Sequence, residues 1–124
     1  MLGEKDAIAT IAVKDLKTAA QFYGETLGLK NEGGDQTAAI MYTSGNTKVL
    51  VYQSEFAGSN KATAANWTVG ADLKSVVEGL AKKGVKFEHY DMPGVTREGD
   101  IHTAGGQKIA WFKDPDGNIL ALLG

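Results

Sequence analysis

Asp15-Leu16-Lys17-Thr18-Ala19-Ala20-Gln21-Phe22-Tyr23-Gly24-Glu25-Thr26-Leu27-Gly28-Leu29 is the stretch whose reading decides the fold. Asp15 stands where an N-cap accepts hydrogen bonds from the free N–H groups of a first helical turn. Leu16, Ala19, Ala20, Tyr23 and Leu27 recur at three- and four-residue spacing, which puts them on one helical face. Gly28 follows as the stop. The opening returns 57 positions later, from 15 to 72, as Asp72-Leu73-Lys74. That second helix carries Leu73, Val76, Val77 and Leu80 on one face and stops at Gly84. Two copies of one unit in a short chain imply a paired-module domain with a shared cleft.

The flanking segments repeat as well. Residues 7–14 form a short, bounded apolar strand, and Asn66-Trp67-Thr68-Val69 alternates polar and apolar as a half-buried strand does. Ser44-Gly45-Asn46 joins strands at 37–43 and 47–53, and Asp114-Pro115-Asp116-Gly117-Asn118 joins strands at 107–113 and 118–123. Val85 to His89 is a further short strand. Residues 91–106 show no periodicity and read as a long loop, a length more often functional than idle. Each half is therefore β-α-β-β-β. The expected fold is α+β, two such modules forming a curved mixed sheet around a cleft. Module one spans about 7–53, a linker 54–64, and module two 65–123, in a single domain of 1–124.

Composition narrows the function. A chain of 124 residues buries roughly two thirds of its unfolded surface without staples. A formal charge of −2 leaves no basic patch for phosphates, so nucleic acid is not an expected partner. No apolar stretch approaches the ~20 residues that span a bilayer. Glu4, Lys5 and Asp6 stand where a signal peptide needs an apolar segment. The absence of cysteine removes disulfides, thiolate nucleophiles and thiolate metal ligands together. The expected compartment is cytoplasmic.

Two stretches carry a resemblance. Val13-x-Asp15-Leu16 with Phe22-Tyr23-x-x-x-Leu27-Gly28, and Phe112-x-Asp114-Pro115-Asp116-Gly117-Asn118, resemble the vicinal oxygen chelate superfamily. This is the glyoxalase, bleomycin-resistance and extradiol-dioxygenase group, and the likeness runs from about residue 7 to 123. It implies the paired-module fold and a homodimer. It leaves the activity open, because that family hosts isomerases, dioxygenases, thiol transferases and drug binders. Its enzymes hold a divalent metal through a His or Gln before the first helix, a matching residue in the second module, and a carboxylate in the last strand. Here those positions are Ile8, Ala64 or Ala65, and Ala121. Aliphatic groups offer a divalent ion no lone pair, so neither metal nor other cofactor is expected.

Strand alternation sorts side chains between helix and cleft. Ala9, Ile11 and Val13 should face the helix, leaving Ile8, Thr10 and Ala12 toward the cleft. Trp67 and Val69 should be core, with Asn66 and Thr68 inward. Leu120 and Leu122 should be core, with Ile119 and Ala121 inward. Tyr52 and Trp111 are the large residues expected on the pocket walls, with ordinary core packing the competing role for each. His89 and His102 are the only imidazoles. His102 is placed in the loop that overhangs the cleft and joins the ligand-binding set of Ile8, Thr10, Tyr52, Asn66, Thr68, Trp111 and Ala121. The expected function is metal-free binding of a planar, partly apolar organic molecule. The alternative is a glyoxalase-like lyase/isomerase or dioxygenase-type enzyme. It would use an unusual metal site from His89, His102 and Asp91 or Asp100, or acid/base chemistry by His102 with Asp100. A third reading is a structural module whose own side chains fill its cleft.

Overall fold

The computed structural model describes all 124 residues. After a short turn at Leu2–Glu4, strand β1 (Ala9–Val13) leads into helix α1, which begins as Leu16–Ala19 and continues with wider turns as Ala20–Thr26. Asp15 caps it, its carboxylate accepting from the N–H groups of Lys17 (3.2 Å) and Thr18 (3.3 Å) and from the Thr18 hydroxyl (2.7 Å). Those contacts, the hydroxyl first, hold the Asp15 carboxyl below its usual range. In the second half of α1 the Leu27 N–H donates to Phe22 O, a five-residue span, and Gly28 (φ 78°) ends the helix. Strands β2 (Lys30–Asn31), β3 (Ala39–Ser44) and β4 (Thr47–Gln53) complete module one. Their sheet has the order β1-β4-β3-β2, with β1 parallel to β4.

Module two opens with β5 (Thr63–Thr68), a short turn at Gly70–Asp72, and helix α2 (Leu73–Lys82). It continues with β6 (Phe87–Glu88), β7 (Val95–Glu98), β8 (Ile101–Ala104), β9 (Gln107–Lys113) and β10 (Ile119–Leu123). The sheet order is β5-β10-β9-β8-β7, and β6 pairs with β9 as well. The plan is thus the expected module with one hairpin added, so 91–106 is not a structureless loop. The β7–β8 turn is Gly99-Asp100, with Gly99 at φ 61°, and β8 is held in register by β9 (His102 opposite Ile109). The α+β fold of two modules is as expected, each module contributing its own mixed sheet, and the sheets are not closed.

The helix-side faces merge into one core across the modules. It includes Ile11, Val13, Tyr23, Tyr42, Val51, Leu73, Val77, Phe112, Leu120 and Leu122. The alternation assigned in β1, β5 and β10 holds: Ile11, Val13, Leu120 and Leu122 are buried in this core, and Ala9, Trp67 and Val69 pack against it. The 54–64 segment is tightly placed at one point: a Cβ on Gly58 (φ 73°) would collide with the Asp116 carbonyl oxygen.

Candidate functional site

The C-terminal turn clamps the two modules together. Asp114 is buried, and one carboxylate oxygen accepts from the N–H groups of Asp116 (3.0 Å) and Asn118 (2.8 Å). The other accepts from the Tyr23 hydroxyl (2.7 Å) and Asn118 Nδ2 (2.8 Å). Asn118 Nδ2 also reaches Ala12 O (2.7 Å), and the Lys14 N–H donates to Asp116 (3.0 Å). Burial, then the Asp114 charge and the bond to it, push the Tyr23 hydroxyl far above the usual phenol range. Phe22 meets Phe112 at 6.3 Å while Tyr23 meets Tyr42 at 6.3 Å, so neighbouring residues of α1 reach the two modules separately. The Phe-x-Asp-Pro-Asp-Gly-Asn stretch therefore has a structural role beyond its local turn.

The sheet face opposite the core carries most of the expected ligand-binding residues. On module one, register sets Thr10 beside Leu50 and Ala12 beside Tyr52; Thr10 is exposed, and Ile8 and Tyr52 are 42% and 39% exposed. On module two, Asn66, Ala121 and Trp111 form one cross-strand row, with Asn66 and Thr68 exposed and Ala121 buried. Ala65 pairs with Leu120 and packs on the core, so the residue of that pair on the exposed side is Ala64. The two groups are on two sheets whose edge strands β1 and β5 run close together without pairing.

His102 is not at the end of an overhanging loop. It sits within β8, fully buried, because Tyr90 folds over it: the Tyr90 N–H donates to Nε2 at 2.9 Å. That bond makes Nε2 the acceptor and leaves the ring proton on Nδ1, which has no partner. The ring lies 4.8 Å from Trp111, and Tyr90 packs on Trp111 at 5.3 Å. Asp100, the partner considered for His102, instead bonds the exposed His89 at 2.7 Å. An aromatic cover of this kind was not readable from 91–106, where only Tyr90 and Trp111, on either side, hinted at it.

Residues 6–122 match the Glyoxalase/Bleomycin resistance protein/Dioxygenase superfamily. The chain belongs to that superfamily. Solved structures agree on the fold. A glyoxalase family protein from Enterococcus faecalis is 18% identical, with each chain fully covered and a TM-score of 0.75. Lactoylglutathione lyase from Agrobacterium tumefaciens is 14% identical, covering 95% of this chain and 91% of its own, at TM-score 0.70. The fosfomycin resistance protein FosX from Mesorhizobium loti is 14% identical, covering 99% and 92%, at TM-score 0.68. No curated protein sequence matches the chain.

Within this glyoxalase-superfamily fold, the residues present do not fit a divalent ion. Ile8, Ala64 and Ala121 bring no oxygen or imidazole to the exposed face. No group of three His, Asp or Glu side chains converges anywhere, so the considered set of His89, His102 and Asp91 or Asp100 does not assemble. The rings of His89 and His102 are 6.4 Å apart, and His102 Nε2 already accepts the Tyr90 N–H. No helix is long and apolar enough to cross a membrane.

Proposed function

We propose that the chain is a metal-free binder of a planar, partly apolar organic molecule. The observation that carries this is the exposed sheet face itself. Ile8, Thr10 and Tyr52 in one module, and Asn66 and Thr68 in the other, offer apolar area with sparse polar points and no charged ligand set. The mechanism is reversible burial, with no bond made or broken. A flat compound lies over Tyr52, beside the Ala121–Trp111 row, and Thr10, Asn66 and Thr68 orient its polar atoms. An open sheet encloses nothing alone, so a second copy of the chain supplies the opposite wall, making the protein a homodimer. His102 holds Tyr90 and supports Trp111 from within rather than touching the ligand.

The test is a titration of the Trp67→Phe variant, which leaves Trp111 as the one indole, with an uncharged planar probe such as 2-naphthol. Saturable quenching of Trp111, lost when Asn66→Phe/Trp67→Phe blocks the face without adding an indole in a protein that still melts cooperatively, is the expected result. Absence of saturable quenching at any probe concentration defeats the reading.

The enzyme alternative retains one observation, the exposed His89–Asp100 pair at 2.7 Å, a geometry suited to general acid/base work. It predicts a turnover that His89→Ala abolishes and His102→Ala does not.

A further inference from the structure

A cavity of about 460 Å³ lies on the helix side of both sheets, away from the face just described. Trp67 points into it, whereas its neighbours Asn66 and Thr68 point the other way, as strand alternation requires. Leu27 and Leu29 come from the turn that follows α1, Val76 and Leu80 from α2, and Trp67 and Phe112 from the second sheet. Phe112 is fully buried, but the other five remain only half-buried. Apolar side chains from both modules therefore converge on a space that no side chain of the chain fills. Its volume falls within the roughly 300–1,000 Å³ of small-molecule sites.

The polar groups around it are few and mostly committed. Trp67 Nε1 donates to Ser44 Oγ at 2.9 Å, which satisfies the indole edge and leaves its apolar faces free. Glu32 is taken up by the Thr43 hydroxyl (2.6 Å) and Lys48 (3.3 Å). Lys30, the one charged residue in the lining, takes part in none of the three ion pairs of the chain. The cavity thus pairs an apolar interior with a single cation that makes no direct ion pair, although its charge reaches the nearby Glu32.

We propose that this cavity is a second ligand site, taking an apolar molecule that ends in one carboxylate. The apolar body lies against Trp67, Leu80 and Phe112, and the carboxylate meets Lys30. A solvated ammonium adds modest affinity but selects the end of the molecule that stays outside. The proposal stands independently of ligand binding on the open face.

The two tryptophans separate the two sites. Trp111→Phe protein, which keeps Trp67, is titrated with decanoate below its micelle concentration, and Trp67→Phe protein serves as the counterpart. The expected result is a saturable change in Trp67 emission with no change at Trp111. Val76→Phe in the Trp111→Phe background fills the space and removes the response. Lys30→Gln, a surface change that leaves the fold intact, weakens decanoate by about fivefold while 1-decanol is unaffected. A response at Trp111 alone, or none at either indole, overturns the site. A Lys30→Gln change that leaves decanoate affinity unaltered, or that weakens decanol equally, overturns the assignment of Lys30.

Discussion

Module one ends its sheet at β2, a strand of two residues, and leaves the face opposite its helix bare around Thr10 and Tyr52. Module two carries its sheet past β9 with a hairpin and brings Tyr90 back over the same face, burying His102 and half of Trp111. The difference teaches that one repeated plan can serve two ends. The face of the first module stays open to solvent, while the second module places Tyr90, Trp111 and one of the chain's two histidines in a cover over its own sheet. An imidazole in such a cover is a packing and hydrogen-bonding element, even in a superfamily whose enzymes use side chains on this face as metal ligands.

The largest expected effect breaks the joint between the halves. Asp114→Ala removes the acceptor for Tyr23, Asn118 and Asp116 at once, and should lower stability by on the order of 3 kcal/mol in denaturant unfolding. A loss below about 1 kcal/mol would show that the modules are not clamped there.

Two tyrosines of module one sharpen the same point. Tyr23→Phe costs about 2 kcal/mol because its hydroxyl bonds a carboxylate, whereas Tyr42→Phe removes a buried hydroxyl without a partner and costs nothing or stabilises. Both phenols are raised in the folded state, so the folded protein keeps protons that the unfolded chain gives up above about pH 10. Stability is therefore full below that pH and falls as pH rises beyond it. Urea midpoints measured from pH 8 to 11 should flatten in each single variant and most in the double variant.

The smallest effect compares the two helix starts. Asp15 bonds the first turn of α1, but Asp72 makes no side-chain cap on α2 despite heading the repeated Asp-Leu-Lys. Asp15→Ala should lower Tm by a few degrees near neutral pH and progressively less in acid, because a carboxyl with a depressed folded pKa contributes above about pH 4 and loses that contribution on protonation. Asp72→Ala should leave Tm unchanged.

These particulars also show what the sequence carried. Alternation assigned the faces of β1 and β5 because Ile11 and Val13, and Trp67 and Val69, keep a period of two toward the core; in β10 Ala121 is buried between Leu120 and Leu122, so its face shows in the register and not in burial. The β7–β8 hairpin escaped because Val95-Thr96-Arg97-Glu98 and Ile101-His102-Thr103-Ala104 hold few apolar residues and depend on β9 for register; Gly99-Asp100 between them was the readable turn signal. The local bonds of Asp114 were legible from its turn, but not its bond to Tyr23, 91 residues away. The second cavity was invisible as well, since Trp67 and Leu80 read as core residues and only the space between the modules distinguishes them.

Native mass spectrometry of untagged protein purified without chelator tests the central claim most directly, since it reports subunit number, metal and bound organic molecule together. The account predicts a metal-free dimer that takes up an organic ligand as a discrete mass increment. A stoichiometric divalent metal would contradict it and return the open face, or His89 and Asp100, to metal chemistry.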